Sequence, residues 1–203
     1  DDAAEETQGY LVFPAEAATE EITTKLVLLG KSVICVALSE ERIEELGLPP
    51  MGRQIQNVSA EFTVSVEARH GVTTGISSAD RAKTLVTVAT TQDPRLDLVT
   101  PGHIFPMKAR SGGVLVRSGA AEASIDLIKK AELSHAAVLC HCLNEQGAFL
   151  SEEELVTLSE KENLNLIRIS EIIEERLSKE SIVEKIAEAK LPIKTAGNFK
   201  AIC

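Results

Sequence analysis

Apolar positions along this chain alternate in some stretches, run continuously in others and recur at helical spacing in the rest, so that strand and helix signals interleave. Tyr10-Leu11-Val12-Phe13 has strand composition. Thr19 predicts the cap of a helix whose apolar face is Ile22, Leu26 and Leu29, closed by Gly30. Val33 to Leu38 is a continuous apolar run, as expected of a buried strand. Ser39 opens a short helix, Glu40 to Leu46, that Gly47-Leu48-Pro49-Pro50 stops. Phe62, Val64 and Val66 alternate with polar residues, which predicts one half-buried strand over Glu61 to Glu67. Ser77 with Asp80 fits a capping box for a helix bearing Ala82, Leu85, Val86 and Ala89 on one face.

Asp93-Pro94 and Pro101-Gly102 predict a second loop. His103 to Met107 and Val114 to Val116 are strand-like, and a turn over 117–122 leads into a helix with Ala123, Ile125, Ile128 and Ala131. Ala136 to Leu143 reads as another buried strand, followed by a turn at Asn144-Glu145-Gln146-Gly147. Ser151 and Glu154 form a capping box before Leu155 and Leu158. Leu164 to Ile169 reads as a strand, with Ser170 capping a helix that carries Ile173 and Leu177. Beyond Ser181 the pattern of Ile182 and Ile186 is helical until Leu191-Pro192 breaks it. The fold class is α/β (intermixed α+β), with helices layered on a mixed β-sheet.

Composition narrows the function. The 203 residues are 44% hydrophobic and 26% charged, enough for one large domain with an ordinary core. The formal net charge of −10 and the aromatic content of 3%, with no Trp, argue against nucleic acid, which favours basic stripes or stacking platforms. No apolar run is long enough to span a bilayer, and the acidic start Asp1-Asp2-Ala3-Ala4-Glu5-Glu6 is the opposite of a signal peptide. Four cysteines in a chain of this size make no disulfide framework, so a reduced, cytoplasmic setting is expected, with no membrane partner.

The candidate chemistry gathers at Arg117-Ser118-Gly119-Ala120-Ala121-Glu122. An arginine offers its planar fork to an anion, a glycine permits close backbone approach, and a helix start favours negative charge. The two alanines that follow can neither bind a metal nor move a proton. Thr73-Thr74-Gly75-Ile76-Ser77-Ser78 is a hydroxyl-rich loop at a helix start, either an anion cradle or an ordinary capped loop. His103 stands at a strand entrance, where a lone histidine is more often structural. In Cys140-His141-Cys142 the strand alternation sends the sulfurs one way and the imidazole the other, and no second cluster supplies further ligands.

Several segments, in one order, resemble the 3,4-dihydroxy-2-butanone 4-phosphate synthase family. They are Leu46-Gly47-Leu48-Pro49-Pro50-Met51, Phe62-Thr63-Val64-Ser65-Val66, the run from Thr73 to Ala82, Pro101-Gly102-His103-Ile104-Phe105-Pro106, and Gly112-Gly113-Val114-Leu115-Val116-Arg117. The likeness implies a synthase-type domain over 1–180. The tail, 181–203, looks like a linker and the start of a GTP cyclohydrolase II domain, so that the chain is the front part of a bifunctional riboflavin-pathway protein. The family converts ribulose 5-phosphate to 3,4-dihydroxy-2-butanone 4-phosphate and formate. It uses Mg²⁺ or Mn²⁺ to stabilise developing negative charge, together with acid/base groups. A homodimer, and a sugar phosphate or inorganic phosphate as ligand, are implied with it.

Carried over by residue, the resemblance puts the metal-binding loop Glu on Glu6, the essential His on His103, and the phosphate-side Arg and Gly on Arg117 and Gly119, beside Ser118. Other positions depart from the family. Glu5 stands for an Arg, Tyr10 for a substrate-binding Asp, Ala120 for the metal-binding His, Ala121 for a Thr, and His141 for an essential Glu. Losing one acid/base group costs about 10²–10⁴-fold in rate, and here the losses coincide. The expectation is a synthase-like domain whose family reaction is abolished or severely weakened. Two alternatives stand beside it: an active synthase with a rebuilt metal site, and a divergent enzyme on another sugar phosphate using His103 and His141 as its acid/base pair.

Overall fold

The computed structural model describes residues 8–52, 61–180, 188–193 and 197–202. A central mixed sheet runs in the order β1-β6-β2-β5-β3, with β4 also on β5. Its strands are β1 (Tyr10–Pro14), β2 (Cys35–Leu38), β3 (Glu61–Phe62), β4 (Val66–Ala68), β5 (Leu98–Lys108) and β6 (Ala136–His141). Among the described residues β2 and β5 pair in parallel and the other ladders of this sheet are antiparallel.

Alternation on the central strands sorts two cores. Val36 and Leu38 of β2 and Val138 and Cys140 of β6 turn to one face. There they meet Leu26 of α1 (Glu20–Gly30), Ile43 and Leu46 of α2 (Glu40–Leu46), and Ala82, Leu85 and Val88 of α3 (Ser78–Thr90). Cys35, Ala37, Ala137 and Leu139 turn the other way, onto Ala121, Ile125 and Ile128 of α5 (Ala120–Lys130). Strands buried on both faces explain the continuous apolar runs in the sequence. Between α3 and β5 lies the single turn α4 (Pro94–Asp97). The layers are completed by α6 (Glu152–Glu162) and α7 (Ile169–Lys179), whose Ile172 packs on Val114 and Ala123. A hairpin of β7 (Glu188–Ile193) and β8 (Gly197–Ile202) follows, with Ile193 opposite Gly197.

The expected caps form where the hydroxyls predict them. Thr19, Ser39, Ser77 and Ser151 accept from the backbone N–H of Ile22, Arg42, Asp80 and Glu154. At Ser151 the box is reciprocal, as Glu154 accepts from the Ser151 N–H. At Ser77 it is not, because the Asp80 carboxylate is committed to the preceding loop.

Four expectations need correction. The Glu61 to Glu67 strand is two pieces, β3 and β4, since Thr63 N–H donates to the Pro106 carbonyl and Val64 N–H to the Pro49 carbonyl. Pro101-Gly102 lies inside β5, after a cis Thr100–Pro101 peptide, and is not a loop. Val114 to Val116 is no strand: Gly112 and Gly113 take left-handed φ values of 92° and 63°, and residues 113–115 form a 3-10 turn. Leu164 to Ile169 finds no strand partner among the described residues, and α7 starts at Ile169 with Arg168, not Ser170, at its cap. The helical reading of Ile182 and Ile186 falls outside the described residues.

Candidate functional site

The β4–β5 ladder pairs Val66 with Ile104 and then jumps to Glu67 with Val99. The residues between, 100–103, are thrown out of register, and this excursion carries His103. Gly102 makes the approach possible: a Cβ there would collide with the Val66 carbonyl group. Its N–H donates to Ser65 Oγ at 3.2 Å.

Across the excursion, His103 Nδ1 lies 2.6 Å from Glu67 Oε2. Glu67 is buried while His103 is about 43% exposed at its side chain. The other Glu67 oxygen accepts from Thr84 Oγ1 at 2.8 Å. Over this pair folds the Thr73 to Ser77 loop. Asp80 holds the loop by accepting from Thr73 N–H (3.1 Å), Thr73 Oγ1 (2.8 Å) and Gly75 N–H (3.0 Å). The Thr73 hydroxyl, foremost among these bonds, keeps the Asp80 carboxyl below its ordinary range. Gly75, at φ 83°, has no room for a side chain, because a Cβ would overlap Glu67 Oε2 and His103 Nδ1. The hydroxyl-rich loop is therefore the wall of the histidine site.

At the second cluster, Gly119 occupies the cap position of α5 and Ala120 and Ala121 its first two positions. Arg117 does not reach outward. Its Nη2 pairs with Glu122 Oε1 at 2.6 Å, and the Glu122 side chain is fully buried. Glu122 also accepts from the Arg110 N–H at 2.8 Å. Arg117 Nε and Nη1 and Glu122 Oε2 are buried without a partner. Such orphaned atoms cost about 1–3 kcal/mol each, so this end of α5 has donors and an acceptor to spare. Ser118 is exposed.

The third cluster holds Tyr10, Ala120 and His141, positions where the resemblance implies other residues. Tyr10 and His141 are cross-strand neighbours on β1 and β6, with ring centroids 4.1 Å apart, and the Phe149 ring lies 5.3 Å from His141, tilted by 39°. Tyr10 and Ala120 pack against the apolar cluster of Cys35, Phe105, Met107 and Ala121. Burial pushes the His141 imidazole below its ordinary pKa and the Tyr10 phenol above its own. The same burial raises the thiols of Cys35 to about 12 and Cys142 to about 11, so neither is a nucleophile at neutral pH. A cavity of about 850 Å³ runs along β1 past Tyr10 and Ala120 to Leu164 and Ile167. It is mainly apolar and includes neither Arg117 nor His103, so it is a feature of the sheet edge.

His103 and His141 are not brought together as a pair. Each has its own partners, the Glu67 carboxyl for His103 and the rings of Tyr10 and Phe149 for His141. Glu5 and Glu6 lie outside the described residues. Among those described there is no group of three His, Cys, Asp or Glu side chains placed to hold a metal ion. At position 120 a methyl group faces apolar neighbours, a poor environment for a hard cation that wants oxygen ligands.

Sequence reasoning passed over Glu67 and Thr84, and placed Glu122 in the candidate turn without assigning it a partner. Their signal was an acidic or hydroxyl residue in a phase that the apolar neighbours mark as buried, after Val66, before Leu85 and before Ala123. Such a residue must be paired to be tolerated.

Residues 1–175 match the family model described as 3,4-dihydroxy-2-butanone 4-phosphate synthase. The chain is 39% identical over 179 residues to the 3,4-dihydroxy-2-butanone 4-phosphate synthase of Haemophilus influenzae, covering 88% of this chain and 83% of that protein. It is 40% identical over 206 residues to a probable bifunctional riboflavin biosynthesis protein, chloroplastic, of Oryza sativa, covering all of this chain and 37% of the relative. The chain thus spans well under half of that bifunctional relative. A solved 3,4-dihydroxy-2-butanone 4-phosphate synthase in complex with two magnesium ions superposes with a TM-score of 0.81 at 30% identity, covering 88% of each chain.

Proposed function

The chain belongs to the 3,4-dihydroxy-2-butanone 4-phosphate synthase family, and we propose that within it this is a domain that keeps the fold and the phosphate-side turn while the family reaction is abolished or severely weakened. The observation that carries this reading is the patch of Tyr10, His141 and Ala120. At positions where the family is expected to hold a substrate-binding acid, an essential acid and a metal ligand, the side chains form an aromatic pair and a methyl on an apolar cluster. Ala120 offers neither a metal ligand nor a proton carrier, and where the resemblance implies carboxylates at positions 10 and 141 stand a phenol and an imidazole, which bring no negative charge to a divalent cation.

The scaffold around it is intact. Arg117 and Gly119 stand at the start of α5, and His103 is held by Glu67. A sugar phosphate or inorganic phosphate is the ligand proposed for this turn, at the free N–H groups that open α5, with Arg117 joining only by leaving its inward pair with Glu122. A place in a longer bifunctional chain, with a cyclohydrolase domain after the synthase-like unit, and homodimer formation belong to the same proposal, as do a cytoplasmic setting and weak or absent Mg²⁺ or Mn²⁺ binding at Glu6. Among the described residues no helix is long and apolar enough to cross a membrane.

The test is formate release from ribulose 5-phosphate with millimolar Mg²⁺ or Mn²⁺. No formate above background is expected, and sustained turnover would overturn the proposal in favour of a rebuilt metal site. The other alternative, a divergent enzyme on a sugar phosphate, is favoured by one observation, the exposed imidazole of His103 on a buried carboxylate. Consumption of a pentose or tetrose phosphate without formate, lost on His103→Gln, would establish it.

A further inference from the structure

The arrangement behind His103 has the form of an oriented base, and it is complete whether or not formate is released. We propose that Glu67 is the positioning residue of His103, fixing the imidazole in the tautomer that carries its proton on Nδ1 and presents Nε2 to the ligand as a proton acceptor.

The argument is one of donors and acceptors. Glu67 Oε2 lies 2.6 Å from Nδ1, so one of the two atoms carries the shared proton. The other carboxylate oxygen is occupied by Thr84. That hydroxyl is itself an acceptor for the Ala68 N–H at 3.1 Å and has a single proton to give. Its two available acceptors are Glu67 Oε1 at 2.8 Å and the Asp80 carbonyl at 3.0 Å, and the nearer is the carboxyl oxygen. Thr84 therefore holds Glu67 as an acceptor at Oε1, and an ionised Glu67 accepts at Oε2 as well. The Nδ1 proton then belongs to His103, and the lone pair is on Nε2. A side-chain proton acceptor at a site for sugar phosphates is a group that could take a proton from a carbon or hydroxyl of the ligand.

The support is built from one helix face. Asp80 and Thr84 are four residues apart on α3 and so share a side of it. Thr84 holds the carboxylate, and Asp80 holds the loop whose Gly75 closes over it. The Gly102 contact with Val66 fixes the excursion from which His103 projects. Backbone and side chain are thus both constrained, as an oriented base requires.

The experiment is a long-range proton–nitrogen NMR spectrum of the ¹⁵N-labelled chain without ligand, at a pH where imidazoles are neutral. His103 is expected to show a pyrrole-type Nδ1 and a pyridine-type Nε2 as a single tautomer. In Glu67→Gln the amide can donate to Nδ1, and the assignment is expected to invert or to collapse to a mixture of the two forms. Thr84→Val, which frees Oε1 while leaving the carboxylate, is expected to keep the tautomer but speed exchange of the Nδ1 proton. Finding the Nε2-protonated form or a free-imidazole mixture in the unsubstituted chain would overturn the proposal, and so would an unchanged tautomer in a folded Glu67→Gln variant. If that variant fails to fold, the unsubstituted spectrum still decides. The readout needs no substrate, so its failure is separate from a failure of the formate assay.

Discussion

The ring of Tyr10 sits 4.1 Å from the imidazole of His141, centroid to centroid, on directly opposed residues of β1 and β6. Both occupy positions where the resemblance to the synthases implies a carboxylate. The two departures are therefore one packing unit. Restoring an acid on either strand would set it against the ring of the other.

An aromatic pair of this kind is worth about 0.5–1.5 kcal/mol beyond its buried area. Tyr10→Asp and His141→Glu are each expected to destabilise the chain by about that much or more in urea unfolding. The double variant should cost less than the two singles added, by about 0.5–3 kcal/mol. Strict additivity would show that the rings are neighbours without being coupled.

On the proposed reading, the same coupling sets which variants release formate. Ala121 is buried at 2% exposure against Cys35 and Leu139, so Ala121→Thr alone overpacks the site and should cost about 1–3 kcal/mol. Formate release is expected from the variant combining Ala120→His, Ala121→Thr and His141→Glu with Tyr10→Asp, and from none of the four single changes. Turnover by Ala120→His on its own would mean the metal ligand was the sole loss.

Arg117 and Glu122 form a buried ion pair, and removing one member strands the other. Glu122→Ala is expected to cost about 3–5 kcal/mol by urea unfolding. Arg117→Met with Glu122→Leu, which removes both charges at similar volume, should cost clearly less than Glu122→Ala. A cost for the pair equal to or above the single would show that the charges contribute net stability.

His141 titrates below its ordinary value because it is buried. As pH falls through the imidazole range, the unfolded chain takes up its proton before the folded one does. Stability from this residue is therefore present above about pH 6.5, the unfolded value, and declines as pH drops below it. Replacing His141 by Phe should flatten that acid limb in pH-dependent urea midpoints, and an unchanged limb would assign it to other groups.

Asp80 has the opposite origin and the same sign. Its carboxyl is held low by the Thr73 hydroxyl and the loop amides, so its contribution is full above the unfolded value near 3.9 and disappears as pH falls through the lower folded value. Asp80→Asn should be less stable at neutral pH and converge with the unsubstituted chain in acid. Gly75→Ala, which meets both the left-handed φ and the Glu67 carboxylate, is expected to cost at least about 1–2 kcal/mol at every pH.

Much of the fold was legible from residue order. Thr19, Ser39, Ser77 and Ser151 start helices because their hydroxyls meet a need that every helix N-terminus has, and that need is local. The runs over Val33 to Leu38 and Ala136 to Leu143 declared strands buried on both faces, and the strands form over the shorter spans Cys35–Leu38 and Ala136–His141. Tyr10, Ala120, Ala121 and His141 were singled out only through the resemblance, which implies other residues there. Where a partner decides, the pattern misled. Leu164 to Arg168 has strand composition and no strand beside it, and Val114 to Val116 looks extended until Gly112 and Gly113 turn the backbone left-handed.

What folding alone decided is which residues meet. Glu67 and His103 are 36 positions apart and join only because β5 leaves register beside β4. Tyr10 reaches His141 because the first and last strands of the central sheet are neighbours. Spacing in a sequence carries the short-range periods of helix and strand. Hydrogen bonds and ring contacts between distant segments are set by which strand lies next to which, and that is fixed by burying both sheet faces at once.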